Sequence, residues 1–153
     1  MSIDATVPFA TTLTIRDTCL CLHVQRAARV VGRRFDEVLR PLGLTHGQFS
    51  LMNALNRPQP ARIGAVATLL GMDRTTLTAA LKPLQRGGHV TMQVDPKDRR
   101  GRVLALTPSG HALLASAVPV WRATHAAVER ELAAGVADDL RHNLDRLSQH
   151  PSQ

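Results

Sequence analysis

The sequence predicts a mainly α-helical fold with one small β-hairpin, and three observations support this class. Apolar residues recur at spacings of three and four over most of the 153-residue chain, which is the helical period. Val90, Met92 and Val94 alternate with polar residues in a first predicted strand, 89–94, and an apolar run forms a second, 102–106. Turn and capping residues separate these segments, and a chain of this length forms one domain or two small lobes with a shared core.

The N-terminal region is predicted to form one helix from Ile15 to about Arg40, which Pro41 then ends. Thr45 starts the next helix, because Gln48, three residues later, completes a capping box. The apolar stripe of the first helix consists of Cys21, Val24, Ala28, Val31, Phe35, Val38 and Leu42. The inward side chains of the second are Phe49, Met52 and Leu55.

The stretch from 63 to 87 predicts two helices joined by a glycine turn. The first ends at Gly71, and Asp73 is a favourable N-cap for the second, which two glycines then end. This is the helix–turn–helix arrangement. The predicted buried face of the second helix consists of Leu77, Leu81 and Leu84.

The C-terminal third is predicted to be helical again. Thr107 followed by Pro108 is a helix start, since threonine caps and proline suits the first helical position. A long helix follows it, and a last helix runs from about Val136 to Leu147.

Most of the net charge of +7 lies in residues 57–102, which hold nine arginines and lysines against three acids. Arginine outnumbers lysine 17 to 2, and its planar guanidinium suits paired contacts with phosphate and guanine. A basic region between nearly neutral ends predicts a polyanionic partner.

A helix–turn–helix followed by a two-stranded hairpin is a winged helix, and the basic residues fall on both of its DNA-reaching parts. We expect the second helix to fill a major groove, where short threonines allow close approach and Arg74 reaches guanine. We expect the hairpin to lie over the minor groove, where an arginine senses the negative potential. We expect Asp98 to brace the guanidinium of Arg100. The predicted DNA-binding residues are Arg74, Thr75, Thr76, Thr78, Lys82, Arg99, Arg100 and Arg102.

Motifs of the common enzyme classes are missing: there is no nucleophile elbow, zinc-protease helix, phosphate loop or dinucleotide fingerprint. We therefore expect no enzyme and no cofactor. Cys19, Cys21 and His23 suggest metal ligands, but helical residues two apart point about 200° away from each other. The other histidines lack metal spacing, so we predict no metal site.

The start of the chain has no basic leader with an apolar segment, and no apolar run approaches the roughly 18 residues of a membrane span. The two cysteines are poorly spaced for a structural disulfide within a helix. We expect a cytoplasmic protein with reduced thiols and no membrane partner.

The chain resembles the MarR family of bacterial winged-helix transcription regulators in the segments LTHGQFSLMNAL, MDRTTLTAALKPLQRGGHV and DPKDRRGRVLALTPSG. The resemblance covers roughly residues 15–149, and its wing pattern is Asp-x-Arg followed by Leu-Thr-x-x-Gly. It implies a homodimer in which 1–44 and 107–153 form a helical dimerisation lobe and 45–106 the DNA-binding lobe, as one intertwined domain without a linker. It also implies a regulator, in most members a repressor, that binds a pseudo-palindromic operator and leaves it on meeting a small ligand or an oxidant.

The sequence leaves the signal open between a thiol and a ligand. By position, Cys21 corresponds in this resemblance to the reactive cysteine of the branch that senses organic hydroperoxides, whose tyrosines are replaced here by Phe35 and His46. A thiol switch at Cys21, resolved by Cys19, is one interpretation, and a buried packing role for Cys21 is the other. A disulfide between them would require the helix to unwind locally. The alternative signal is a small aromatic acid in a cleft at Phe35 and His46.

Two other functions are compatible with a basic winged helix. One is an architectural protein that binds DNA without sequence preference, and the other is a module that docks to a protein. A specificity ratio separates a regulator from an architectural protein, because a regulator binds one palindrome about 10³-fold or more above random DNA.

Overall fold

The computed structural model describes residues 6–149, and within them it contains seven α-helices and three β-strands. The helices are α1 (Phe9–Thr18), α2 (Leu20–Leu39), α3 (His46–Leu55), α4 (Ile63–Leu70), α5 (Arg74–Arg86), α6 (Pro108–Glu129) and α7 (Val136–Ser148). The strands are β1 (Ala61–Arg62), β2 (Val90–Asp95) and β3 (Asp98–Leu106), and a 3₁₀ turn, Arg40–Leu42, follows α2. The predicted mainly helical fold with a winged helix–turn–helix is confirmed.

The winged helix has an apolar core enclosed by α3, α4, α5 and the sheet. Its first helix, α3, begins with the predicted capping box. The Thr45 hydroxyl accepts a hydrogen bond from the Gln48 backbone N–H at 3.2 Å, and the Gln48 side chain accepts one from the Thr45 backbone N–H at 3.0 Å. The largest fully buried side chains of the described residues are Leu39, Leu51, Met52, Leu55, Leu77, Leu81 and Leu104. Six of these seven belong to the winged helix, which therefore closes its own core.

The sheet has the antiparallel order β1-β3-β2, so it contains one strand more than the predicted hairpin. In the added strand, Ala61 pairs with Leu104 and Arg62 with Val103. A two-residue strand carries no periodicity of its own. Its pairing with β3 forms only when the chain folds.

The predicted first helix, from Ile15 to about Arg40, is wrong in two respects. The helical region begins earlier, at Phe9, and it is interrupted at Cys19, whose backbone is extended (φ −71°, ψ 106°). The hydroxyls of Thr14 and Thr18 donate to the carbonyls of Ala10 and Thr14 at 3.1 and 2.7 Å. Such bonds to the carbonyl four residues back weaken and bend helices. The break therefore comes at the end of a threonine-rich turn.

The hairpin turn is shorter than expected. Strand β3 starts at Asp98 rather than 102, and only Pro96 and Lys97 lie between the strands. The Asp95 carboxylate accepts a hydrogen bond from the Lys97 backbone N–H at 2.9 Å, which holds this turn closed. Consequently the arginines predicted for a loop lie on a strand.

The outer helices expose their apolar side chains. Neither α1 nor α7 contains a buried residue. Along α7, Leu140, Leu144 and Leu147 are spaced at helical intervals and are 42%, 37% and 60% exposed. Over residues 6–149, no helix is both long enough and apolar enough to cross a bilayer.

Candidate nucleic-acid interface

The start of α5 is set by a glycine and an aspartate. Gly71 has φ +61°, a conformation that favours glycine, and it turns the chain between α4 and α5. Asp73 then caps α5: its Oδ1 accepts from the Thr76 backbone N–H at 2.7 Å and its Oδ2 from the Thr76 hydroxyl at 3.1 Å. These bonds hold the pKa of Asp73 below its ordinary value. The cap places Arg74 in the first turn.

The outer face of α5 carries most of the residues predicted from this helix. The buried leucines 77, 81 and 84 fasten the opposite face to the core, as predicted. The Thr78 hydroxyl donates to the Arg74 carbonyl at 2.7 Å, and the Thr76 hydroxyl belongs to the cap. A shallow concavity of about 310 Å³ is lined by Arg74, Thr75, Thr78, Ala79 and Lys82.

The wing corrects one predicted contact. Asp98 does not brace the guanidinium of Arg100; its Oδ1 accepts from the Arg100 backbone N–H at 3.1 Å instead. The carboxylate closes a tight local turn in this way, a common use of aspartate. Nearby, the Arg102 guanidinium donates to the carbonyls of Arg99 and Gly101 at 3.4 and 3.1 Å.

The helix and the wing meet at a crevice of about 520 Å³ between α4, α5 and β3. It brings Arg74 and Thr78 of α5 together with Arg100 and Arg102 of β3. Arg99 does not line it, which agrees with the alternation of side chains along a strand. Thr75, Thr76 and Lys82 do not line it either.

Sequence reasoning missed an ion pair at the edge of this crevice. Arg62 Nη2 lies 2.7 Å from Asp95 Oδ2, and the Asp95 side chain is only 5% exposed. The two residues are far apart in sequence and no motif links them. The pairing of β1 with β3 brings them together.

The Leu-Thr-x-x-Gly pattern anchors the wing to α6. The Thr107 hydroxyl accepts from the Gly110 backbone N–H at 3.0 Å and donates to the Gly88 carbonyl at 2.6 Å. A Cβ at Gly110 would overlap the carbonyl oxygen of His89, so only glycine fits there. The motif therefore fixes the base of β2 against the helix that follows β3.

Phe35 and His46 share a cavity of about 300 Å³ that Phe49 and Trp121 also line. Asp36 Oδ1 accepts from the His46 backbone N–H at 2.7 Å and lies 2.8 Å from His46 Nδ1. Partial burial works to raise the pKa of Asp36, but the bonds from His46 outweigh it and hold that pKa below its ordinary value. The cavity is thus bordered by a polar link between α2 and α3.

The thiols differ from the expectation of a buried Cys21. Cys21 is exposed and its Sγ accepts from Gln25 Nε2 at 3.0 Å, whereas Cys19 is half-buried at the helix break. The backbone of Cys19 is extended, whereas Cys21 lies in the first turn of α2. Among residues 6–149, no group of three or more His, Cys, Asp or Glu side chains is placed to hold a metal ion.

A basic recognition helix beside an arginine-bearing wing defines the class of winged-helix, DNA-binding transcription regulators. The model of the MarR family matches residues 42–101. The transcriptional activatory protein BadR of Rhodopseudomonas palustris is 30% identical over 132 residues, which cover 84% of this chain and 74% of BadR. The chain belongs to the MarR family, whose compared members are transcription regulators and not enzymes.

Two solved structures have the same fold. The M. tuberculosis regulator MosR in complex with DNA is 34% identical, with a TM-score of 0.77, over 86% of this chain and 94% of MosR. The repressor CouR, a protein of Rhodococcus jostii, bound to a 23-mer DNA duplex is 28% identical, with a TM-score of 0.77, over 88% of this chain and 96% of CouR.

Proposed function

We propose that the protein is a homodimeric repressor that binds a pseudo-palindromic operator, with α5 in the major groove and the β2–β3 hairpin over the minor groove. The observation that carries this proposal is the crevice where Arg74 and Thr78 of the helix face Arg100 and Arg102 of the wing. Cationic side chains at that spacing suit a DNA backbone and its two grooves. Both solved relatives described above are complexes with DNA.

The proposed dimer places residues 1–44 and 107–153 at the two-fold axis and 45–106 outside. The apolar stripe of α7 and the exposed Leu20 and Val24 of α2 support it. These side chains line a groove of about 440 Å³ between α2 and α7. A second copy would remove this apolar surface from water, which stabilises association. The half-sites then lie about one helical turn apart, ~10 bp centre to centre.

Two variants test the DNA face. Arg74→Ala should relax base preference and Arg100→Ala should weaken binding, each by about 1–3 kcal/mol. Arg130→Ala is the matched control, because Arg130 is exposed directly after the end of α6 and lines neither the crevice nor the α5 concavity. Titrations at fixed salt use a duplex selected by the protein from a random library and a scrambled duplex. Wild-type binding by both variants would show that the face is wrongly assigned.

The direction of regulation is a separate part of the proposal. CouR is described as a repressor and BadR as an activatory protein, so the family contains both kinds. We propose repression because a dimer on a palindrome blocks polymerase without a further contact. A reporter under a promoter that carries the selected site should fall when the protein is expressed. A rise in the reporter would assign activation instead.

Thiol oxidation is the release mechanism that the geometry favours. A hydroperoxide oxidises Cys21 to a sulfenic acid and leaves as an alcohol; the Cys19 thiol then displaces water and forms the disulfide. Exposure of Cys21 and the extended backbone at Cys19 support both steps. Operator affinity of wild type, Cys21→Ser and Cys19→Ser is measured before and after organic hydroperoxide. We expect a loss of affinity only in wild type, and an unchanged affinity of the oxidised wild type would contradict the switch.

A ligand in the cavity at Phe35 and His46 is the second candidate signal, supported by its aromatic lining. Such a wall suits a small aromatic acid. Trp121 lines the cavity and is the single tryptophan of the chain, so its fluorescence reports occupancy directly. Titration with benzoate and salicylate should quench it in wild type and not in Phe35→Ala. Quenching of equal strength in both proteins would remove this pocket from the proposal.

A further inference from the structure

The Arg62 side chain is paired with a buried carboxylate and is still partly exposed to solvent. Its guanidinium contacts Asp95, the one buried charged residue among those described, yet its side chain remains 56% exposed. The second carboxylate oxygen of Asp95 accepts from the Lys97 backbone N–H. Because a guanidinium has five N–H donors and only one of its nitrogens lies against Asp95, Arg62 can still donate to another anion.

Arg62 also lines the crevice between α4, α5 and β3. Three further arginines line it, Arg74, Arg100 and Arg102, against a single acid, Asp98. Within residues 6–149, Arg74 and Arg100 have no ion pair, and Arg102 donates only to carbonyls. Like charges gathered in this way repel one another until an anion lies between them.

The position of the crevice indicates which anion. In duplex DNA the sugar–phosphate backbone is the wall that separates the major groove from the adjacent minor groove. A protein with a helix in one groove and a hairpin in the next must therefore hold that backbone between the two elements. The crevice lies between α5 and β3, where this strand would pass.

We propose that Arg62 binds a backbone phosphate of the DNA at the crossing between the two grooves, and that Asp95 is the positioning residue that holds Arg62 there. This inference rests on the proposed docking of α5 and the hairpin. The buried carboxylate fixes the guanidinium before DNA arrives, so that less side-chain entropy is lost on binding. A phosphate contact carries no sequence information, so Arg62 contributes to affinity and register rather than to base preference.

The first experiment measures affinity and its salt dependence for Arg62→Gln, Arg62→Lys and the control Arg57→Gln. Arg57 is an exposed arginine between α3 and β1 that does not line the crevice. On both the selected and the scrambled duplex, Arg62→Gln should bind about tenfold more weakly. The slope of log affinity against log salt should fall by about one per subunit. Arg62→Lys should restore the slope, and Arg57→Gln should behave like wild type.

A phosphate scan separates direct contact from an indirect effect on the wing. Single phosphates of the selected duplex are replaced in turn by neutral methylphosphonate. In wild type one position per half-site, between the groove contacts, should cost affinity, and that position should become silent in Arg62→Gln. Asp95→Asn should keep a reduced sensitivity there, because Arg62 is present but no longer held.

Two outcomes overturn the inference. One is an Arg62→Gln variant with wild-type affinity and slope while Arg74→Ala and Arg100→Ala lose binding. The other is equal sensitivity of Arg62→Gln and wild type to every methylphosphonate, which would leave Arg62 as a brace of the wing alone. If the Arg74 and Arg100 variants also bind normally, the proposed docking face itself is wrong and the inference falls with it.

Discussion

The winged helix and the outer helices differ in whether their apolar side chains are buried within the chain. In the winged helix, Leu77, Leu81 and Leu104 are at most 2% exposed and belong to one apolar core within the chain. In α7, the side chains of Leu140 and Leu144 are 42% and 37% exposed although their spacing is equally regular. A regular apolar stripe thus indicates that a helix packs against a partner, but it does not indicate whether the partner belongs to the same chain. The difference predicts that damage to the first region changes folding, whereas damage to the second changes assembly.

The largest effect is expected from the apolar groove between α2 and α7, which the proposed dimer would cover. Leu140→Glu combined with Leu144→Glu should produce a monomer. Operator affinity should then fall about a hundredfold or more, because two linked subunits no longer bind the two half-sites together. Leu69→Glu is the matched control, since Leu69 is 69% exposed on α4, outside that surface. Sedimentation at micromolar concentration and fluorescence anisotropy measure both quantities. A monomeric wild-type protein would contradict the proposed dimer and the assignment of the exposed apolar stripe to it.

The next largest effect concerns the closed core. Leu77→Ala removes a side chain with 0% exposure and should lower the free energy of unfolding by about 2–5 kcal/mol. Leu69→Ala should change it by less than about 0.5 kcal/mol. Denaturant unfolding gives the values, and the loss should be the same at every protein concentration. A loss that shrinks at high concentration would mean that this core also depends on assembly.

The junction between the regions should be sensitive to a single methyl group. Gly110→Ala inserts a Cβ against the His89 carbonyl, so the wing base or α6 must shift, at a cost of about 1–3 kcal/mol. The control Gly47→Ala meets only the Thr45 hydroxyl oxygen, at 4.0 Å. Thermal unfolding compares the two. Equal melting temperatures would show that the junction is loose.

The smallest effect is expected from the link between α2 and α3. The pKa of Asp36 is lower in the folded protein, so its contribution to stability is present above the unfolded carboxyl pKa and is lost as pH falls through the folded value, below about pH 4. Wild type should therefore lose more stability on acidification than Asp36→Asn. Glu37→Gln, the neighbouring exposed carboxyl, is the control. Parallel stability curves for wild type and Asp36→Asn would contradict a role for this pair.

Local signals predicted most of the winged helix. Asp73 and Gly71 mark the turn of the motif, and the capping box at Thr45 has the geometry that its spacing indicates. Each of these signals acts over a few residues, so the sequence alone contains the whole interaction. The break at Cys19 was also local, and the threonines before it were the signal that could have found it.

The wing was predicted in kind but not in detail. A run of arginines after Asp98 suggested a loop, whereas pairing with β2 extends β3 back to that residue. The side-chain brace expected between Asp98 and Arg100 gives way to a backbone contact. Strand ends depend on the register of the partner strand, which the sequence of one strand does not contain.

By itself, the sequence determined the helix–turn–helix, the hairpin, the basic surface and the family, because caps, turns, periodicity and charge are properties of neighbouring residues. The tertiary structure alone decided that β1 joins the sheet and that Arg62 meets Asp95 beside the crevice. It also decided which apolar stripes are covered within the chain and which, as on α7, are exposed. The physical reason is that burial and ion pairing depend on distances between segments far apart in sequence, and these distances exist only after the segments have packed.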